Sequence, residues 1–189
     1  LGDVYKRQAL LNQLLREDLS PDQVLARAND GLCEDNEAGM FVTVWLGVLD
    51  LRSGKLVYAN GGHNPPLYRH ADGSVEWMRD RSGLLLGSFE GVPYRVFERT
   101  MIRGDSLILY TDGVTEAMDA SDHCYGDERL FQLVERECDG YPASVSGVIE
   151  EDVRAFAEGA DQADDITLLV LRYDGQENGP AASAAGNRG

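Results

Sequence analysis

Two segments, "SLILY" (Ser106 to Tyr110) and "TLLVLRY" (Thr167 to Tyr173), are apolar at nearly every position. A strand with one wet face alternates apolar and polar side chains, so near-continuous apolarity implies central strands covered on both faces. Such strands need a packed layer above and another below. The surrounding order is helices, several consecutive strands, two helices and a last strand. The leucine stripe of Ala9 to Arg16 reads as the end of a first helix. Ser20-Pro21-Asp22-Gln23 reads as the capped start of a second, with a loop from Gly31 to Gly39. Strand-rich "MFVTVWLGVLD", "KLVYAN", "LYRH", "SVEWM" and "YRVFERTM" follow, joined by short turns. Helices are predicted over Asp127 to Glu137 and Ala143 to Glu158. Hairpin connections make the sheet largely antiparallel. The fold class is therefore α+β, with helices flanking layered strands. Two packed sheets between helices satisfy the pattern, and so does a single helix-covered sheet.

Both apolar strands adjoin carboxylates. "SLILYT" runs into Asp112-Gly113, and Asp164-Asp165 precedes "ITLLVLRY". If the two strands are antiparallel neighbours, the end of one meets the start of the other. Carboxylates gathered a few ångströms apart repel one another strongly and call for a counter-charge. No Lys or Arg adjoins either cluster in sequence. An all-oxygen donor set suits Mg²⁺ or Mn²⁺ rather than Zn²⁺. Each motif taken alone is equally an ordinary turn or cap.

Composition narrows the function classes. Acidic residues outnumber basic ones 33 to 17, for a formal charge of -16. Such a surface repels phosphate backbones and anionic lipid, so neither nucleic-acid nor membrane contact is expected. The longest apolar run, Phe41 to Leu49, is too short to span a bilayer. Cys33, Cys124 and Cys138 show no CxxC spacing, which speaks against a disulfide framework or zinc site and for a reducing, cytoplasmic setting. No cysteine-phosphatase loop or Gly-rich phosphate cradle ending in Lys-Ser/Thr is present.

Taken together, "FVTVWLGVLDLRSGKLVYANGGHNPPLYRH", "SGLLLGSF", "RGDSLILYTDGVTEAMD", "YGDERL" and "ADDITLLVLRY" resemble the catalytic domain of the SpoIIE/RsbU branch of metal-dependent (PPM-type) serine/threonine protein phosphatases. The similarity runs from about Ala9 to Tyr173. It implies a β-sandwich flanked by helices with two Mn²⁺ or Mg²⁺ ions at one end. By motif position it implies Asp112 and Asp164 as metal ligands, with Asp165 as the neighbouring, secondary candidate. The implied reaction is hydrolysis of phosphoserine or phosphothreonine by a metal-activated water. The implied substrate is a STAS-type anti-sigma-factor antagonist, and a sensor or receiver domain often precedes this one in the family. The alternative is an impaired fragment or pseudophosphatase that serves as a protein-interaction module.

The N-terminus departs from the pattern. Gly2-Asp3-Val4 matches the start of the family's "GDVSGKG"-like ligand segment, but Tyr5-Lys6-Arg7-Gln8 replaces its small, glycine-rich continuation. Bulky and cationic residues there would oppose nearby metal ions. Asp3 also lies too few residues before the first helix, and "LGDVYKRQ" resembles translated sequencing-adapter sequence. The expectation is that residues 1–8 are a non-native lead, that the match at Asp3 is accidental, and that residues 9–173 are a phosphatase domain lacking its first strands. Residues 174–189 read as a disordered tail.

Other positions carry two readings each. His63 in "GGHNPPLY" either approaches the phosphate or, as favoured here, fixes its loop by hydrogen bonding. Phe41 and Thr43 match the family's F-x-T pattern and equally suit strand packing. Gly113, Glu116 and Thr167 are candidates for support of the metal shell. His70 and His123 read as surface residues.

Overall fold

The computed structural model describes residues 11–34, 36, 39–160 and 164–175. Asp3, the lead and most of the tail lie outside them. Among the residues described, seven strands form two antiparallel sheets. The first has the order β1-β2-β5, from Val44–Leu49, Lys55–Gly61 and Phe97–Thr100. The second has the order β4-β3-β6-β7, from Val75–Trp77, Leu67–Arg69, Ser106–Tyr110 and Leu168–Arg172. Among the described residues the helices are α1 (Pro21–Cys33), α2 (Asp112–Thr115), α3 (Asp127–Glu137) and α4 (Pro142–Phe156). Residues 11–14 form a further helical turn.

Three apolar clusters show that these are four layers. Leu56 and Tyr58 of β2 meet Tyr68 of β3 and Leu107 of β6 between the sheets. Ala59, on the opposite face of β2, packs against Val24, Leu25, Ala28 and Leu32 of α1. Ile108 and Tyr110, on the opposite face of β6, pack against Leu130 and Val134 of α3 and Val145, Ile149 and Val153 of α4. The period-2 pleat thus sends alternate side chains of one strand into different cores. Each fully buried Leu or Ile in these layers contributes roughly 1.5–3 kcal/mol. The two-sheet sandwich is the arrangement adopted, and the single covered sheet is not.

Three sequence readings need correction. The strand β7 lies at the edge of its sheet, not in the centre, and Leu169 is 56% exposed. Leu168 and Val170 pack toward the helices and Leu171 between the sheets, so β7 is partly covered on both faces but is left open at its edge and at Leu169. Helix α1 continues to Cys33 where a loop was expected from Gly31. Leu32, one helical repeat beyond Ala28, extends the buried stripe and carries the helix with it. Finally, β7 begins at Leu168, so Asp164 to Thr167 form a loop before the strand.

The start of α1 follows the sequence pattern. Gln23 Oε1 accepts the Ser20 backbone N–H at 3.1 Å, and Pro21 occupies the first helical turn. A buried carboxylate anchors the far end of the sandwich. Asp105 is 2% exposed and accepts bonds from the Tyr68 hydroxyl and the backbone N–H groups of Ala71 and Ile102. That satisfies a group that would otherwise be costly to bury.

Candidate metal centre

Strand register decides what meets at the other end. In the second sheet Tyr110, the last residue of β6, pairs with Leu168, the first of β7. In the first sheet Val44, which opens β1, pairs with Gly61, which closes β2. Residues just outside these pairs are therefore Thr111-Asp112 and Asp164 to Thr167 on one sheet, and Thr43 and Gly62-His63 on the other.

Thr111 joins the two acidic segments. Its hydroxyl donates to the Asp165 carbonyl at 2.9 Å and accepts the Thr167 N–H at 2.9 Å. Its own N–H donates to the Thr167 carbonyl at 3.1 Å. Gly113 completes the junction. A Cβ built on it would lie 2.6 Å from the Asp165 carbonyl oxygen and 3.2 Å from that of Asp164. Glycine is needed here for close backbone approach rather than for an unusual φ.

The carboxylates crown this junction. Asp112 opens α2 with its side chain exposed, and its carbonyl, not its carboxylate, accepts the Glu116 N–H at 2.8 Å. Asp164 and Asp165 are also exposed, and Asp164 Oδ1 accepts the Asp165 N–H at 2.7 Å. Glu116 follows α2 as its C-cap and is exposed. Thr167 takes part through its backbone.

His63 belongs to the same end. Its N–H donates to Asn60 Oδ1 at 2.8 Å, while Asn60 Nδ2 donates to its carbonyl at 3.0 Å. The ring Nδ1 lies 3.3 Å from the Thr43 hydroxyl. Gly62, at φ +79°, supplies the left-handed turn that leads into this loop. Burial holds the His63 imidazole below its ordinary range, and the nearby Asp112 carboxylate partly offsets this. His63 is thus held by hydrogen bonds and also sits in the field of Asp112. Asn60 and Thr111 were absent from the sequence candidates, because their value lies in partners remote along the chain. His70 and His123 do not join the site and contact Glu76 and Asp119, each at 3.1 Å.

Two predictions arise from this wiring. Thr111→Val removes one donor and one acceptor and leaves the Thr167 N–H and Asp165 carbonyl to find other partners. A loss of about 1–3 kcal/mol is expected, measurable by urea denaturation. For His63, the folded-state value lies below the unfolded one near 6.5. The native state then binds fewer protons than the unfolded chain, so stability falls as pH drops through and below that range. His63→Gln should flatten this part of the stability–pH curve; an unchanged slope would place the acid sensitivity elsewhere.

Among the described residues, no three His, Cys, Asp or Glu side chains form a group able to hold a metal ion. The donors present still fit a hard divalent cation. Mg²⁺ characteristically takes one or two protein carboxylates and fills its remaining positions with water and substrate phosphate. The exposed, oxygen-only carboxylates at a tight backbone junction match that demand. Cysteine chemistry is not built into this end: Cys138 is buried among the α3 and α4 side chains, and burial pushes its thiol up to about 11.

Comparison with known proteins agrees with this architecture. The "Stage II sporulation protein E (SpoIIE)" family model matches residues 7–174. The chain is 25% identical over 162 residues to "Phosphoserine phosphatase RsbU" of Bacillus subtilis, covering 86% of this chain and 48% of that protein. The chain therefore spans about half the length of that relative. The RsbU and RsbW domains of Rv1364c from Mycobacterium tuberculosis superpose with a TM-score of 0.73 at 22% identity, covering 93% of this chain and 48% of that one. The SiaA-PP2C domain of Pseudomonas aeruginosa gives 0.74 at 18% identity, covering 89% and 68%. At these identities the structural likeness is one of fold, that of a PP2C-type sandwich. The family pattern extends through both sheets and all four helices, and the chain belongs to the SpoIIE family.

Proposed function

We propose that this chain is a metal-dependent phosphoprotein phosphatase acting on phosphoserine or phosphothreonine. The observation that carries the reading is the junction of Thr111-Asp112-Gly113 with Asp164-Asp165 at one end of a PP2C-type sandwich. Asp112 and Asp164 would hold the metal, two Mn²⁺ or Mg²⁺ ions by family resemblance, with Asp165 as the secondary candidate. Asp3, whose match to the family's first ligand segment is expected to be accidental, lies outside the described residues. Bound there, divalent ions supply charge neutralisation for phosphoryl oxygens and acidify water for attack on phosphorus.

The chain's own residues perform the positioning. Thr111 and Gly113 hold the two acidic loops together, while Asn60 and Thr43 orient His63 toward the side of Asp112. A neutral imidazole there can donate to a phosphate oxygen without competing with the metal as a second cation. The substrate reading is a phosphorylated STAS-type anti-sigma-factor antagonist. It is supported by similarity to RsbU and by the RsbU–RsbW pairing in the Mycobacterium tuberculosis chain.

The experiment is hydrolysis of an aryl phosphate and of a phosphoserine protein with added Mn²⁺ or Mg²⁺, then with a chelator. Turnover that needs the ion supports the phosphatase. Turnover that survives chelation removes the metal from the mechanism. A second reading, an interaction module without turnover, is favoured by the observation that no three His, Cys, Asp or Glu side chains group as a metal site among the described residues. It predicts a folded chain that binds the phosphoprotein and releases no phosphate.

A further inference from the structure

A groove runs away from the metal centre between α2 and the C-terminal half of α4. Its volume is about 850 Å³. Gly113, Met118 and Ile166 form one side, so the groove is continuous with the junction that holds the acidic loops. Val153 lies in its floor, completely enough buried to belong to the core beneath. Met118, by contrast, is 38% exposed at the rim.

The other side is charged. Among the described residues, Glu150, Glu151 and Glu158 line it together with one cation, Arg154. Glu150 and Glu151 stand four and three residues before Arg154 on α4, and Glu158 lies in the turn that follows the helix. An apolar floor beneath a rim with three carboxylates and one guanidinium selects for a ligand that is apolar and basic together. The groove also starts at the residue that bounds the phosphate-processing centre, so an extended segment lying in it would lead directly to that centre.

From this complementarity we infer that the groove is a docking site for the chain flanking the phosphorylated residue, and that it takes a segment bearing Lys or Arg with aliphatic neighbours. The inference rests on the phosphatase reading for its substrate class and adds to it a sequence preference. Carboxylate rims raise the association rate and discriminate against like-charged partners more than they add raw affinity. Acidic flanks are therefore rejected and basic ones retained. The preference weakens as salt rises, because the rim charges are exposed.

The test separates docking from hydrolysis. Fluorescein-labelled, unphosphorylated peptides with a central serine are titrated with the metal-free chain and followed by anisotropy. One carries Lys and Leu flanks and the other Glu and Leu flanks. The basic peptide is expected to bind about tenfold or more tighter than the acidic one at low salt. The double variant Glu150→Lys with Glu158→Lys should erase or reverse that ratio. An equal change of net charge on the opposite side, Glu34→Lys with Glu90→Lys, should leave it within about twofold, since distant exposed charges are screened. Equal binding of both peptides by the native chain overturns the inference. So does an equal loss in both double variants, which would mean that overall charge alone attracts the peptide. Concentration-dependent self-association abolished only by the groove variant would identify a second copy of this chain as the occupant and overturn it as well. Loss of metal-dependent hydrolysis with peptide preference intact would instead count against the phosphatase reading and leave the groove standing.

Discussion

Replacing Asp112 or Asp164 by Asn is expected to lower metal-dependent phosphate hydrolysis on the order of a hundredfold or more, since losing even a supporting partner of a metal ligand costs ten- to a hundredfold. Each change removes a negative charge and keeps the side-chain shape. The fold should tolerate both. Asp112 serves local structure through its carbonyl, which accepts the Glu116 N–H, and its carboxylate is exposed. Asp164 offers Oδ1 to the Asp165 N–H, and an asparagine Oδ1 can take the same bond. For Asp112 a stability change within about 0.5 kcal/mol is therefore expected, as for surface positions generally. Initial-rate assays across a Mn²⁺ titration, paired with thermal melts, read both quantities. If either variant kept full turnover at every metal concentration, that residue would not be a ligand. If both did, the metal centre would have to lie elsewhere.

The second large effect is expected at a residue with no side chain. Gly113→Ala places a methyl 2.6 Å from the Asp165 carbonyl oxygen, a separation that real Cβ atoms essentially never show. That neighbour is backbone, so it cannot rotate away. Either the Asp164-Asp165 loop retreats or the start of α2 does. Overpacking of this kind costs typically about 1–3 kcal/mol. It would also disturb the Thr111 bonds to Asp165 and Thr167. Activity should fall nearly as far as in the aspartate variants, although every carboxylate remains. Denaturant midpoints together with Mn²⁺ affinity from calorimetry would check this. A Gly113→Ala chain with native stability and native metal affinity would show that the close approach has no functional weight.

Both results depend on features with different visibility in the sequence. The Asp112-Gly113 and Asp164-Asp165 motifs are plain in the chain, because strand ends followed by acidic turns stand out against apolar runs. Helix α3 was legible to the residue, since its buried Leu130 and Val134 repeat at helical spacing. Thr111 and Asn60 were not legible. A hydroxyl at a strand end or an amide within a strand gains its role only from a partner brought close by folding. Asn60 serves a residue three positions away, but its position beside His63 depends on the hairpin that pairs β1 with β2. The edge position of β7 was hidden for a related reason. Composition records how apolar a strand is, not whether a neighbour pairs with its outer edge.

The sequence by itself determined the α+β class, the antiparallel connections, the family and the residue type of the candidate site: carboxylates adjoining apolar strands. Those properties reside in periodicity and residue type, which are local. Only the tertiary structure decided that the strands divide into two sheets, that loops from both sheets meet at one end, and that a glycine lets two acidic loops touch. Convergence of this kind is set by register and layer packing, which couple residues far apart in the chain and leave no local periodic trace.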